Sequence, residues 1–456
     1  MLFADPGRRG EAPLALGFVI SLLRSEEHRF RSIPSVLDLK FIRANADLVA
    51  ENAKLRRVEC DVPKLVELAE RKLAIVHELQ EVQRKQNETA KSMKGAKTPA
   101  EREPIIAEGK RLKDQAAALE AEQRDLDLAI KREQSRVPNL THPDSPREKD
   151  AVLREVGQRK PFAFKAQDHV ELCEKHKLAD FEAAGRVTGA DFYYMLGDGA
   201  LLELALINYA MTKLVAAGYT PVITPDLARE SVMEGTGYIP RGNETQIYSV
   251  ANTDLCLIAT AEITLAGMFA DQIIDADKLP LKFVGLSHCF RTESGAAGRA
   301  TRGLFRVHQF TKVEMFAFCL PEQSEAIHQE LLRHEEEIFQ GLEVPYRVLD
   351  IAASDLGGPA YRKYDLEAWM PGRGDAGEWA EVTSTSNCTD YQARRLDVRF
   401  KRAGEKGTTH VHMLNGTAVA CGRAIIALLE NHQQEDGSIR IPPVLQPFMM
   451  GKGKIG

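Results

Sequence analysis

The chain has 456 residues, of which 44% are apolar and 28% charged, and its net charge is −6. That length holds about two or three domains with at least one sizeable core, and the composition is that of a globular protein. A negative net charge excludes wholesale electrostatic binding of nucleic acid, so an RNA partner would have to meet a local basic patch.

Residues 1–36 carry Arg8 and Arg9 ahead of an apolar run at 14–23, too short to span a bilayer and followed by no small-x-small cleavage site. They read as an unassigned extension, with Val36 a candidate translation start. Residues 37–53 have helical spacing, with Asn45 or Asp47 as the expected cap. The most periodic part of the chain follows. Leu65, Leu68, Lys72, Ile75, Leu79, Val82, Gln86 and Thr89 step by threes and fours, as a coiled-coil seam does. Ile105, Gly109, Leu112, Ala116, Leu119, Gln123, Leu126 and Ile130 repeat the pattern, and Gly95 and Pro99 break the helix between them. Two seams around one turn predict an antiparallel helical hairpin reaching about 45 Å, with Lys91, Lys94 and Lys97 near its tip as candidate phosphate contacts.

Pro138, Pro143 and Pro146 mark a linker, after which the pattern becomes mixed helix and strand. An amphipathic helix is predicted over 199–219, stopping at Gly218, and the strand after it carries Pro221 and Pro225, which confine it to an edge or interface. Thr260, Ala261 and Glu262 then carry a carboxylate into apolar flanks. Residues 290–316 read as a long hairpin in which Arg291, Glu293, Arg299, Arg302, Arg306 and Glu314 alternate in sign. A strand pair so charged has one face toward solvent or a charged ligand. A helix over 322–342 follows, then a Trp-anchored strand with Glu381, Thr383, Ser384, Ser386 and Asn387. The last segment is predicted as a strand, a turn at Asn415-Gly416, and an apolar helix whose Arg423 needs a partner anion.

These arginines and carboxylates suit a nucleoside triphosphate held without a P-loop, since no GxxxxGK[ST] occurs. No Gly-x-Ser-x-Gly elbow is present either, and His288 and His308 read as structural. The seven cysteines are scattered without a Cys-x-x-Cys pair, which predicts free thiols in a reducing cytosol.

At this point the order of motifs carries a resemblance. The helix-strand ending at Pro225, FRTE through KVEMF, and NGTAVACGRAIIALLEN resemble motifs 1, 2 and 3 of the class II aminoacyl-tRNA synthetases. With the helical arm ahead of them, the chain resembles the bacterial-type seryl-tRNA synthetase family over 37–456. The resemblance implies an α+β fold: an antiparallel β-sheet flanked by helices behind an N-terminal coiled-coil arm. Residues 37–150 would be the tRNA-binding arm with its linker, and 151–456 the aminoacylation domain. It further implies ATP-dependent activation of L-serine, transfer of the seryl group to tRNA(Ser) with tRNA(Sec) as a candidate second acceptor, Mg2+, a homodimer, no membrane association and a cytoplasmic location.

Carried onto this sequence, the family pattern puts Arg291 on the α-phosphate and the serine carboxylate, Glu293 at the adenine end, Val307 in the base pocket and Arg423 on the γ-phosphate. Thr292, Val382 and Thr383 would join the ATP site, and Glu381 and Ser384 would ligate magnesium. Thr260, Ala261, Glu262, Glu314 and Thr417 would form the serine pocket, while Lys91, Lys94, Lys97 and Arg302 would meet tRNA. Thr417 stands where the family pattern has serine, and TSTSNCTD departs from the usual SSCSNTQD. Two rival readings are an enzyme of this fold that loads a carrier protein and a catalytically inactive tRNA-binding paralogue. The arm argues against the first, and Arg291, Glu293, Glu381 and Arg423 against the second.

Overall fold

A computed structural model describes residues 38–238, 246–293 and 303–456. The 1–36 extension and the loop arginines Arg299 and Arg302 lie outside the described residues. Two helices, α1 (Leu39–Ala44) and α2 (Ala46–Leu55), replace the single helix expected over 37–53. The side-chain cap comes from Asp38, whose carboxylate accepts the Lys40 N–H, whereas Asn45 closes α1 through its backbone N–H and Asp47 sits in the first turn of α2.

The arm is α3 (Val62–Gly95) and α4 (Pro99–Arg136), packed antiparallel. Ile75, Leu79 and Val82 meet Leu112, Ala116 and Leu119 along the expected seam. Asp61 and Thr98 cap the two helices, and Pro99 starts α4 rather than only ending α3, because a first-turn residue has no helical N–H bond to lose. Lys91, Lys94 and Lys97 are exposed at the tip.

At the arm's base the proline-rich segment is bolted down rather than loose. Asn139 is fully buried, and its Nδ2 donates to the Pro359 and Cys388 carbonyls at 2.8 and 2.9 Å. Arg56, also buried, donates from Nη1 to the carbonyls of Asn139 (2.6 Å) and Ala360 (2.9 Å) and from Nη2 to those of Leu356 (3.3 Å) and Gly357. Burial pushes its guanidinium down to about 10, so carbonyl dipoles carry the stabilisation that a carboxylate would otherwise supply.

The remaining described residues are organised around one eight-stranded sheet, with smaller two- and three-stranded sheets beside it; the large sheet is built from β1 (Ala151–Val156), β2 (Thr220–Ile223), β3 (Leu281–Phe290), β4 (Gln309–Cys319), β5 (Tyr346–Asp350), β6 (Arg362–Met370), β7 (Glu378–Asn387) and β8 (His412–Ala420). The order is β1-β5-β6-β7-β8-β4-β3-β2, antiparallel except for the parallel pair β2–β3 at one edge. Proline in β2 is tolerated because that strand has only one neighbour. The hairpin β3–β4 is present, its second strand running from Gln309 to Cys319.

One face of the sheet is covered by α5 (Gly197–Ala216), α7 (Ser324–Gly341) and α8 (Cys421–His432), while α6 (Ala261–Gly267) packs on β3 and β4. α5 is long and apolar enough to cross a membrane, yet Leu202, Leu206 and Leu214 bury into this core. Its stop is as expected: Gly218, at φ +92°, closes the last turn. The turn expected at Asn415-Gly416 does not form, and both residues continue β8 opposite Phe316 and Met315. Close packing favours glycine there instead. A Cβ at Gly416 would lie 3.0 Å from the Thr385 hydroxyl and 3.1 Å from the Glu335 carboxylate of α7.

Candidate active site

Alternation along β4 decides what faces the site. Val313, Met315 and Ala317 enter the helix-side core, so Lys312 and Glu314 point the other way, into a cavity of about 530 Å³. Both are buried, their side chains 2.5 Å apart. Thr417 on β8, opposite Glu314, donates its hydroxyl to Glu314 Oε2 at 3.2 Å. Beside them Glu262 projects from the first turn of α6. Its Oε1 accepts from Gln392 Nε2 (2.7 Å) and Asn415 Nδ2 (2.9 Å), and its Oε2 accepts from Tyr238 Oη (3.2 Å). Burial first, and the Glu314 charge second, push the Glu262 carboxyl up to about 7. This end of the cavity is therefore small, polar and enclosed, with carboxylates placed for a cation.

The other end is wider and more basic. Arg291 leaves the end of β3 with its guanidinium over the Phe310 ring at 5.2 Å. Glu293, in the left-handed region at φ +48°, pairs with Arg306 at 2.6 Å. Arg423, near the start of α8, pairs with Glu381 at 3.1 Å and donates to the Glu381 carbonyl at 3.0 Å, which supplies the anion its sequence position called for. Burial opposes ionisation of Glu381, but Arg423, Lys363 and Arg291 hold its carboxyl below the usual range. Phe305 presents a ring between Arg373 (4.0 Å) and Arg423 (4.9 Å), an apolar plate among cations that suits a flat heterocycle.

A bulge explains how β7 offers two oxygens to one place. Its register with β6 slips between Leu366–Thr383 and Glu367–Glu381, leaving Val382 unpaired. Residues three apart would otherwise face opposite sides; here all four residues border the cavity, but Val382 packs in the helix-side core and the Thr383 hydroxyl bonds to Glu335, which leaves Glu381 and Ser384 as the pair on the cavity side. Among the described residues no group of three or more His, Cys, Asp or Glu gathers into a metal cage. A divalent ion held by Glu381 and Ser384 would take its other ligands from phosphate and water, the usual habit of magnesium.

Of the residues singled out in the sequence, Glu262, Arg291, Glu293, Val307, Glu314, Glu381, Val382, Thr383, Ser384, Thr417 and Arg423 line this one cavity. Thr260 and Ala261 stand behind it. The Thr260 hydroxyl caps α6 by accepting the Glu262 N–H at 3.2 Å, and Ala261 packs in an apolar cluster. The Thr383 hydroxyl turns away to Glu335 at 2.9 Å, and the Thr292 N–H bonds to the Gln246 carbonyl. His308 is a backbone brace, its Nδ1 lying 2.9 Å from the Arg291 carbonyl, and His288 pairs with Asp226 away from the cavity. Lys312, Tyr238, Phe305, Gln392 and Asn415 were missed. For Lys312 and Asn415 a signal existed, because each lies two residues before a selected strand residue and so shares its face.

Comparison with known proteins agrees with this geometry. Residues 36–141 match the seryl-tRNA synthetase N-terminal domain family, and residues 247–432 match the tRNA synthetase class II core domain (G, H, P, S and T). The serine–tRNA ligase of Rhodopirellula baltica is 54% identical over 91% of this chain and 98% of its own length. That of Rubrobacter xylanophilus is 52% identical over 92% and 99%. The seryl-tRNA synthetase of Pyrococcus horikoshii, solved with ATP, superposes with a TM-score of 0.86 at 39% identity, covering 92% of this chain and 99% of that one. The cytoplasmic serine–tRNA ligase of Naegleria fowleri, solved with AMP, gives 0.82 at 31% identity over 92% and 98%.

Proposed function

The chain belongs to the seryl-tRNA synthetase family and is an ATP-dependent aminoacyl-tRNA ligase for serine, and we propose that the two ends of its cavity divide that reaction. The serine carboxylate attacks the α-phosphate of ATP to give seryl-adenylate and pyrophosphate, and the seryl group then passes to the terminal ribose of tRNA(Ser). At the enclosed end Glu262 and Glu314 receive the serine ammonium and hydroxyl, with Thr417 and Lys312 completing the wall. Alanine leaves those buried groups unpaired, and threonine is excluded by size. Arg291, between the two ends, meets the serine carboxylate and the α-phosphate, so nucleophile and electrophile are neutralised and aligned together.

At the basic end Phe305 and Val307 receive the adenine ring, Glu293 with Arg306 its edge, and Arg423 the γ-phosphate. Glu381 and Ser384 would hold magnesium, which when bound would neutralise phosphate charge. No protein nucleophile is needed, because phosphoryl-centred chemistry of this kind rests on positioning and charge. The exposed Leu204, Val215, Ile223 and Leu227, around α5 and the β2 edge, support a homodimer through this surface. We assign residues 37–150 to tRNA docking, with Lys91, Lys94, Lys97 and Arg302 as phosphate contacts. tRNA(Sec) is a candidate second substrate, and the cytoplasm is the proposed compartment.

The single observation that carries the reading is the Glu262, Lys312–Glu314 and Thr417 cluster, sized and charged for a small hydroxylated amino acid. ATP–pyrophosphate exchange with a panel of amino acids tests it. Exchange driven by serine and not by alanine or threonine is expected; exchange driven equally by all three would overturn the assignment of this end.

A further inference from the structure

One buried pair lies outside the charged clusters and yet touches both walls of the aromatic slot. Glu430, near the end of α8, is 1% exposed. Its Oε1 accepts the His169 backbone N–H at 3.1 Å and lies 3.3 Å from His169 Nδ1; its Oε2 accepts the Gly372 N–H at 2.9 Å. His169 begins the short helix His169–His176 and is itself buried. Its other ring nitrogen, Nε2, accepts the N–H of buried Leu304 at 3.2 Å. Those contacts fix the tautomer: the proton sits on Nδ1, directed at Glu430, and Nε2 is the acceptor. Nearby packing leaves little slack. Gly303 is at φ +75°, and a Cβ there would overlap the His169 ring; a Cβ at Gly372 would overlap the Gln167–Asp168 backbone.

The consequence follows from sequence adjacency. Leu304 precedes Phe305, the ring of the slot, and Gly372 precedes Arg373, whose guanidinium lies 4.0 Å from that ring. Glu430 stands seven residues after Arg423 on the same helix, so one carboxylate ties the helix that carries the opposite cation to both segments. Phe305 is half-buried against the core but lies in a loop, with no strand ladder of its own to hold it. The Leu304 N–H is its nearest backbone anchor.

We propose that His169 and Glu430 are positioning residues that set the Phe305–Arg373 wall and thereby the affinity for the base of ATP. This rests on the assignment of the Phe305 end to adenine. The two side chains are too deeply placed to touch substrate, so their effect passes through Phe305 and Arg373.

The test compares His169→Leu, which keeps bulk but removes the acceptor, with His169→Gln, whose amide oxygen can take the place of Nε2. In serine-dependent pyrophosphate exchange, His169→Leu should raise the KM for ATP about tenfold, the size of one lost buried hydrogen bond. The KM for serine should stay within about twofold, and His169→Gln should recover most of the loss. Amide hydrogen exchange over 303–308 should accelerate in His169→Leu and return toward wild type in His169→Gln. Equal rises in both KM values, a Gln variant as impaired as the Leu variant, or unchanged amide exchange would each overturn the proposal. The amide readout also separates the two layers: absence of serine-dependent exchange in the wild type would sink the functional reading, while the amide result would still decide the clamp.

Discussion

Glu262→Gln puts the electrostatics of the enclosed end to a quantitative test. The amide has the shape of the carboxylate, and its oxygen can keep the bonds from Gln392 and Asn415. Glu262 is 6% exposed and its carboxyl is raised from 4.5 to about 7. A raised carboxyl means that the folded state holds the proton more tightly than the unfolded chain. Its contribution is therefore fully present below about pH 4.5 and is lost as pH rises through about 7. Integrated between pH ~5 and pH ~8, a shift of that size removes about 2.5 kcal/mol of wild-type stability. The Gln variant cannot lose it. Urea unfolding without substrates, at fixed protein concentration and at both pH values, should show a wild-type decrease about 2.5 kcal/mol larger than that of Glu262→Gln. The variant should be the more stable protein at the higher pH and fail to activate serine. Parallel pH dependence in the two proteins would refute the reasoning. Other raised groups such as Glu335 are common to both and cancel.

Arg423→Ala should reduce pyrophosphate exchange by about two orders of magnitude or more while thermal unfolding stays cooperative, because the side chain is partly exposed at the cavity and its pairing is with Glu381; an unchanged exchange rate would contradict its phosphate role. Deleting 93–98 with its flanking turns should spare adenylate formation and weaken tRNA charging, and equal loss of both would show the tip to be part of the catalytic unit. Arg56→Met leaves the carbonyls of Leu356 and Ala360 without their arginine donor, while that of Asn139 keeps its bond from Asn52 Nδ2, and should cost about 2–4 kcal/mol in urea unfolding.

The arm was legible because a coiled-coil seam is a purely local pattern: Ile75, Leu79 and Val82 announce it by spacing alone. The hairpin β3–β4 was legible for the same reason, and so was the cation–carboxylate character of its face. What sequence could not show was burial and register. Glu335 looks like an ordinary helix glutamate, yet it is fully buried beneath β7 and β8, and it explains a glycine that read as a turn. The slip at Val382 is invisible in a string of small polar residues, although it alone lets Glu381 and Ser384 share a face. Gln392 and Tyr238 reach Glu262 from segments distant in the chain, so no spacing rule points to them. Thr260 and Ala261 stand in the opposite case: the family pattern drew attention to them as serine contacts, and their geometry is that of a cap and a packing residue which aim Glu262.

The most direct measurement is aminoacylation of tRNA(Ser) by the purified chain with labelled serine, ATP and magnesium, alongside labelled alanine and threonine. The account predicts serine-charged tRNA, dependent on ATP, with alanine and threonine left uncharged. Active formation of seryl-adenylate with no transfer to tRNA, or charging with alanine at the rate of serine, would contradict it.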